Sequence, residues 1–111
     1  MKDKQIRPNK NQVESVFSLY KNGQIKEALK DIKVLNAKYP NQPILFNIAG
    51  ACYQGMGELE VAAKMFKTAT MISADYAEAH FNLGVVLQEL NKKDASIESY
   101  RKAIAISPKY P

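Results

Sequence analysis

The sequence predicts an all-α chain made of three successive helix-turn-helix hairpins, and three observations lead there. Residues of matching character recur every 34 positions: Gly23, Gly57 and Asn91; Ala28, Ala62 and Ser96; Ile32, Phe66 and Tyr100; Leu35, Ala69 and Ala103; Pro40, Ala74 and Pro108. Five columns in one phase are not a plausible accident. Within each unit the apolar residues fall three and four apart, which gathers them on one side of a helix. Near its middle each unit is broken by glycine or asparagine, the residues that tolerate left-handed backbone. No segment alternates as a strand does.

The phase divides the chain into a basic leader (1–8) and units 9–42, 43–76 and 77–110. In the first unit Val13, Val16, Phe17 and Tyr20 follow the helical spacing, Asn22-Gly23 breaks it, and Ile25, Leu29, Ile32, Val34 and Leu35 resume it. Tyr39-Pro40-Asn41-Gln42-Pro43 ends that second helix, because proline lacks an N–H and restricts the residue before it. Pro43 suits the first turn of the next helix, where its N–H would have no intrahelical partner. The second unit predicts helices over 44–54 and 59–72 around Gly55-Met56-Gly57, and the third over 77–90 and 94–106 around Asn91-Lys92. Ala28, Ala62 and Ser96 fall where the helices of a hairpin must approach closely. Gly50 and Gly84 cost about 1 kcal/mol each inside a helix, so their presence predicts close backbone packing. Val16 holds that place in the first unit and predicts a slightly wider hairpin there.

With 111 residues, 46% apolar and 24% charged, the chain has ordinary globular composition. No apolar run approaches the ~18 residues of a membrane span. The first eight residues lack the apolar core of a secretory signal, and a single cysteine forms no internal disulfide. A reducing cytoplasm is the expected setting. The net charge is +5; residues 1–42 hold nine basic and four acidic side chains, and 43–111 hold seven of each. All the excess therefore belongs to the leader and the first unit. It suggests RNA or an acidic surface as a partner, but no aromatic residues interleave with Lys26, Lys30 and Lys33, which argues against nucleic acid.

These residues resemble the tetratricopeptide repeat family. The clearest stretch is Ala77-Glu-Ala-His-Phe-Asn-Leu-Gly84, with Ser96, Tyr100, Ala103 and Pro108 at the family's distances. The second unit matches through Phe46, Ala49, Gly50, Tyr53, Gly57, Ala62, Phe66 and Ala69, with Ala74 where proline is usual. The first matches more loosely, through Gly23, Ala28, Leu35 and Pro40. The resemblance implies a right-handed superhelix of three antiparallel helix-turn-helix repeats whose first helices line a concave groove. Its members are mostly scaffolds for peptides or other domains, and many are modules of larger proteins, enzymes included.

The family's geometry projects Lys10, Val13, Phe17 and Tyr20, then Ile44, Asn47, Ala51 and Gln54, then Glu78, Phe81, Val85 and Gln88 onto the groove. Such a surface has an apolar middle and a polar rim, as a peptide groove does. Some cochaperone members grip a C-terminal carboxylate with Lys, Asn and Arg; here Val13, Phe17, Ala51, Glu78 and Asn82 occupy those places, so the clamp is absent. An Asn ladder that other members use on a peptide backbone survives only as Asn82, with Glu14 and Ile48 in its other places.

Chemistry finds no foothold. His80, the only histidine, falls where the family packs between helices. Cys52 sits mid-helix with no His or Lys spaced to activate it. No metal set, nucleophile elbow or phosphate loop occurs, so neither a catalytic role nor a cofactor is expected. The last helix carries Ile97, Tyr100 and Ile104 on one side, and no polar helix follows to cover them. Either the chain is part of a longer array or another copy covers that edge. The leading expectation is a protein-binding scaffold. The alternative is an accessory or oligomerisation module of a larger glycosyl-, sulfo- or methyltransferase.

Overall fold

The computed structural model describes residues 6–109. Six helices follow one another: α1 (Lys10–Lys21), α2 (Ile25–Lys38), α3 (Pro43–Gly55), α4 (Leu59–Ile72), α5 (Ala77–Glu89) and α6 (Lys93–Ile106). The chain is all-α, as the apolar spacing predicts, with helix ends displaced by about a residue. Pro43 opens α3 at its first turn. Residues 1–5 of the leader lie outside the described residues, as do 110 and 111.

Each hairpin turns in the same way. Gly23, Gly57 and Asn91 have φ of 81°, 80° and 61°, the left-handed region that the sequence assigns to them. Around each runs one pair of backbone bonds: Gly23 N to Tyr20 O and Gln24 N to Leu19 O; Gly57 N to Gln54 O and Glu58 N to Tyr53 O; Asn91 N to Gln88 O and Lys92 N to Leu87 O. These bonds occupy carbonyls that the ending helix leaves open. Asn41 also has positive φ, at 63°, a strain the sequence does not announce. Another feature the apolar pattern misses is the start of α1. There Asn9 Oδ1 accepts from Gln12 N, and Gln12 Oε1 accepts from Asn9 N, both at 2.8 Å. This reciprocal cap satisfies two otherwise orphaned donors.

Packing inside the hairpins rests on small residues. Ala28, Ala62 and Ser96 are buried, and Ser96 Oγ donates to Gly84 O at 2.8 Å across α5 and α6. A Cβ placed on Gly50 would lie 2.5 Å from Phe66 Cε1; one on Gly84 would lie 2.8 Å from Tyr100 Cδ1. The glycines thus clear space for aromatic rings of the partner helix. In the first hairpin the same two places hold Val16 and Ile32, both buried in one apolar cluster. That hairpin is also the more open one, since α1 and α2 approach each other along less of their length than α3 and α4 or α5 and α6.

The hairpins stack in a line 49 Å long and 29 Å by 21 Å across. No helix of the first hairpin touches a helix of the third, as expected of a one-dimensional array. The first helices meet, α1 with α3 and α3 with α5, whereas α2 and α4, or α4 and α6, do not. A stack closer along one edge than the other curves, so α1, α3 and α5 lie on its inner side.

Gly50→Ala tests the ring-on-glycine contact. Alanine gains ~1 kcal/mol of helix propensity, but Phe66 is fully buried and overpacking costs ~1–3 kcal/mol. The expected result is a lower urea midpoint than wild type. Gly50→Val with Phe66→Ile copies the first hairpin's pairing and should recover stability relative to Gly50→Val alone. An unchanged midpoint for Gly50→Ala would show that the ring has room to move.

Candidate partner-binding surface

The projected groove residues stand on α1, α3 and α5, on the inner side, but they are not equally open. Phe17 is 46% exposed and Ile44 40%. Lys10, Glu78 and Gln88 are exposed, and Val13, Tyr20, Ala51, Gln54, Phe81, Asn82 and Val85 are half-buried. Asn47 is buried, at 6%.

Polar ties between neighbouring first helices account for the closed positions. Asn82 Nδ2 donates to Asn47 Oδ1 at 3.1 Å, and Gln54 Nε2 donates to Glu89 Oε1 at 3.1 Å. Both join α3 to α5. At the matching places between α1 and α3 stand Val13 and Ile48, which pack in the apolar cluster. Asn47 and Asn82 therefore serve the array's own cohesion. A signal for this was present in the sequence, since adjacent units carry amides 35 positions apart, one more than the repeat length.

The aromatic residues differ too. The Phe81 ring lies 5.5 Å from the Tyr100 ring, centre to centre, and Tyr100 Oη donates to Gln88 Oε1 at 2.9 Å. Phe81 is thus partly spent on its own hairpin. Phe17 instead has the Tyr20 ring 6.0 Å away and Lys21 Nζ 5.5 Å from its centre. An exposed ring beside a cation and a second ring is a typical anchor for a partner. Lys10 Nζ pairs with Glu14 at 3.9 Å on the surface, a contact worth little in water.

At the far edge Ile97 (45%) and Ile104 (53%) are exposed on α6. Tyr100 is half-buried and turned toward Gly84 and Phe81, so the open part of that edge is the isoleucine pair.

His80 is buried, and its Nε2 donates to Ala74 O at 2.9 Å, fastening the loop before α5. Among the described residues no group of three or more His, Cys, Asp or Glu is placed to hold a metal ion. No described helix is long and apolar enough to cross a membrane. Cys52 is fully buried, and desolvation pushes its thiol from the usual 9.0 to about 11. At pH 8 the native thiolate fraction is then ~100-fold below that of the unfolded chain. A disulfide reagent should react correspondingly slowly with native protein and rapidly in denaturant; equal rates would show an open thiol. The folded pKa lies above the unfolded one, so the contribution to stability is intact below pH 9.0 and lost as pH rises toward about 11.

The comparisons with known proteins agree with this architecture. Residues 77–110 match the family model of the tetratricopeptide repeat. No curated protein sequence is a significant match. Among solved structures, MamA is 23% identical with a TM-score of 0.81, over 87% of this chain and 57% of its own. The chain therefore spans little more than half of that relative. The second TPR of Spaghetti, bound to an HSP90 peptide, is 15% identical with a TM-score of 0.81, over 87% of this chain and 90% of its own. The O-GlcNAc transferase of Thermobaculum terrenum is 20% identical with a TM-score of 0.85, over 91% of this chain and 19% of its own. The chain carries a tetratricopeptide repeat at residues 77–110 and folds, over its described length, as a superhelical array of the tetratricopeptide-repeat type.

Proposed function

We propose that this chain is a protein-interaction scaffold that holds a peptide or partner domain against its inner face. The observation that carries this is the strip of exposed Phe17 and Ile44 beside half-buried Val13, Ala51 and Val85. Apolar side chains left open on a curved face are where partners bind. The polar positions Lys10, Gln54, Glu78 and Gln88 flank this strip, and Asn82 retains one amide proton and its carbonyl for a partner's backbone. A cytoplasmic setting belongs to the same proposal.

The groove does not act as a carboxylate clamp. Val13 and Phe17 offer apolar surface where a clamp needs a cation and an amide, and Glu78 would repel a carboxylate. The peptide held by Spaghetti should not bind measurably here in calorimetry. Phe17→Arg should abolish partner capture from a lysate of the source organism, read by mass spectrometry against wild type. Its ring is exposed, so the fold should survive, as circular dichroism would show. Unchanged capture would exclude the groove. Phe81→Arg is the poorer probe, because it also strips a ring from Tyr100.

The proposal includes self-association through α6. Ile97 and Ile104 occupy the places that Leu29 and Asn36 hold in α2, beside the next hairpin. Ile97→Glu with Ile104→Glu should convert any concentration-dependent dimer into monomer by sedimentation; a wild type that stays monomeric at high concentration removes this part. A second reading, a module of a larger enzyme, draws on the transferase in which a like array forms 19% of the chain.

A further inference from the structure

The geometry points to a second docking surface on the outer side of the array, between α2 and α4, built for an acidic amphipathic helix. A furrow of about 640 Å³ opens there. Its floor and walls are apolar: Leu29 and Ile32 of α2, Phe46 and Tyr53 of α3, Met65 of α4. Its α2 rim carries Lys26, Lys30 and Lys33, all exposed and none ion-paired to a described residue, with one acid, Glu27, beside them. The α3 residues that line it lie on the opposite side of that helix from Ile44, Asn47, Ala51 and Gln54. This furrow and the inner groove are therefore separate surfaces.

Three features select the occupant. The three lysines run along one face of α2 over about 10.5 Å, at 1.5 Å per residue. A single anionic head reaches only one end of that row, whereas carboxylates one helical turn apart on a second helix meet all of it. The volume accepts apolar side chains, leaving a helix backbone above them. At the far end of the same stripe lies Asn36, whose Oδ1 is buried without a hydrogen-bond partner. Leaving such an acceptor unpaired costs stability. Turned into the furrow, it would accept a hydrogen bond from a free N–H in the first turn of the bound helix, which a lipid tail cannot supply. The next furrow along, between α4 and α6, is basic as well, with Lys64, Lys67, Lys92 and Lys102 against Glu60 and Glu98, but its lysines are divided between the two sides and form no single row. The chain's whole excess of positive charge falls in residues 1–42, which include the α2 rim.

The test uses the full chain and a fluorescein-labelled helical peptide of leucine, alanine and glutamate, with glutamates flanking a leucine stripe. Fluorescence anisotropy should show saturable binding that weakens with salt. The triple variant K26E/K30E/K33E should lose at least ~10-fold in affinity, and a peptide with serine for leucine should not bind. Phe17→Arg should bind like wild type, which separates this surface from the inner groove. Amide shifts in the wild-type complex should centre on α2 and the outer side of α4, a readout that needs no variant. No binding by wild type, full binding by the triple variant, shifts centred on α1 and α5, or equal binding of the serine peptide and of polyuridine would each overturn the proposal.

Discussion

Where Phe66 meets Gly50 and Tyr100 meets Gly84, an aromatic ring takes the space a side chain would fill. The distance between the two helices of a hairpin is set at these points. Phe66 has no exposed surface, so its ring cannot yield by swinging toward water. Dispersion contacts between ring and bare backbone then hold the hairpin at close range. Other features follow from that spacing. Ala62 and Ser96 are small because the backbones pass nearby, and the Ser96 hydroxyl reaches the Gly84 carbonyl for the same reason. The first hairpin solves the problem with Val16 and Ile32, a medium pair in place of a small and large one, and is the more open for it.

Much of this architecture is legible in the sequence, because each feature involved repeats at one interval. Gly23, Gly57 and Asn91 mark three turns of one geometry, and the structure gives all three left-handed backbone. The candidate surface is less legible. Helical projection places a residue on a face without saying whether a neighbour has already used it. Asn47 and Asn82 read as two groove amides, yet they bond to each other across α3 and α5. Phe17 and Phe81 read as equivalent anchors, yet Phe81 packs on Tyr100 of the facing helix and is half-buried, whereas Phe17 lies beside Tyr20 of its own helix and stays exposed. Such pairings depend on distances between units, which periodicity does not encode. The Asn9–Gln12 cap escapes for another reason: it lies before the apolar pattern begins.

Inner and outer sides of the array are also chemically unlike. The inner strip offers an exposed ring, an isoleucine and short aliphatic side chains within a polar border. The outer furrow offers apolar floor beneath a row of lysines. Because α3 contributes opposite faces to the two, it is the structural link between them. A substitution on one face of α3 leaves the other face's side chains in place, so either surface can be altered by mutation without loss of the helix they share.

The joints of the array are unequal, and this shapes how it comes apart. The second and third hairpins share extensive contact and two side-chain ties, whereas the first meets the second along less of α2 and α3, with Val13 and Ile48 packed where the other joint has its Asn47–Asn82 bond. In a chain whose cohesion is a sum of neighbour terms, the weakest joint opens first. Fraying therefore starts at the end that carries Phe17 and the lysine row, while the other two hairpins stay folded. A ligand spanning α1 and α3, or α2 and α4, bridges that joint and draws part of its selectivity from suppressing the frayed state.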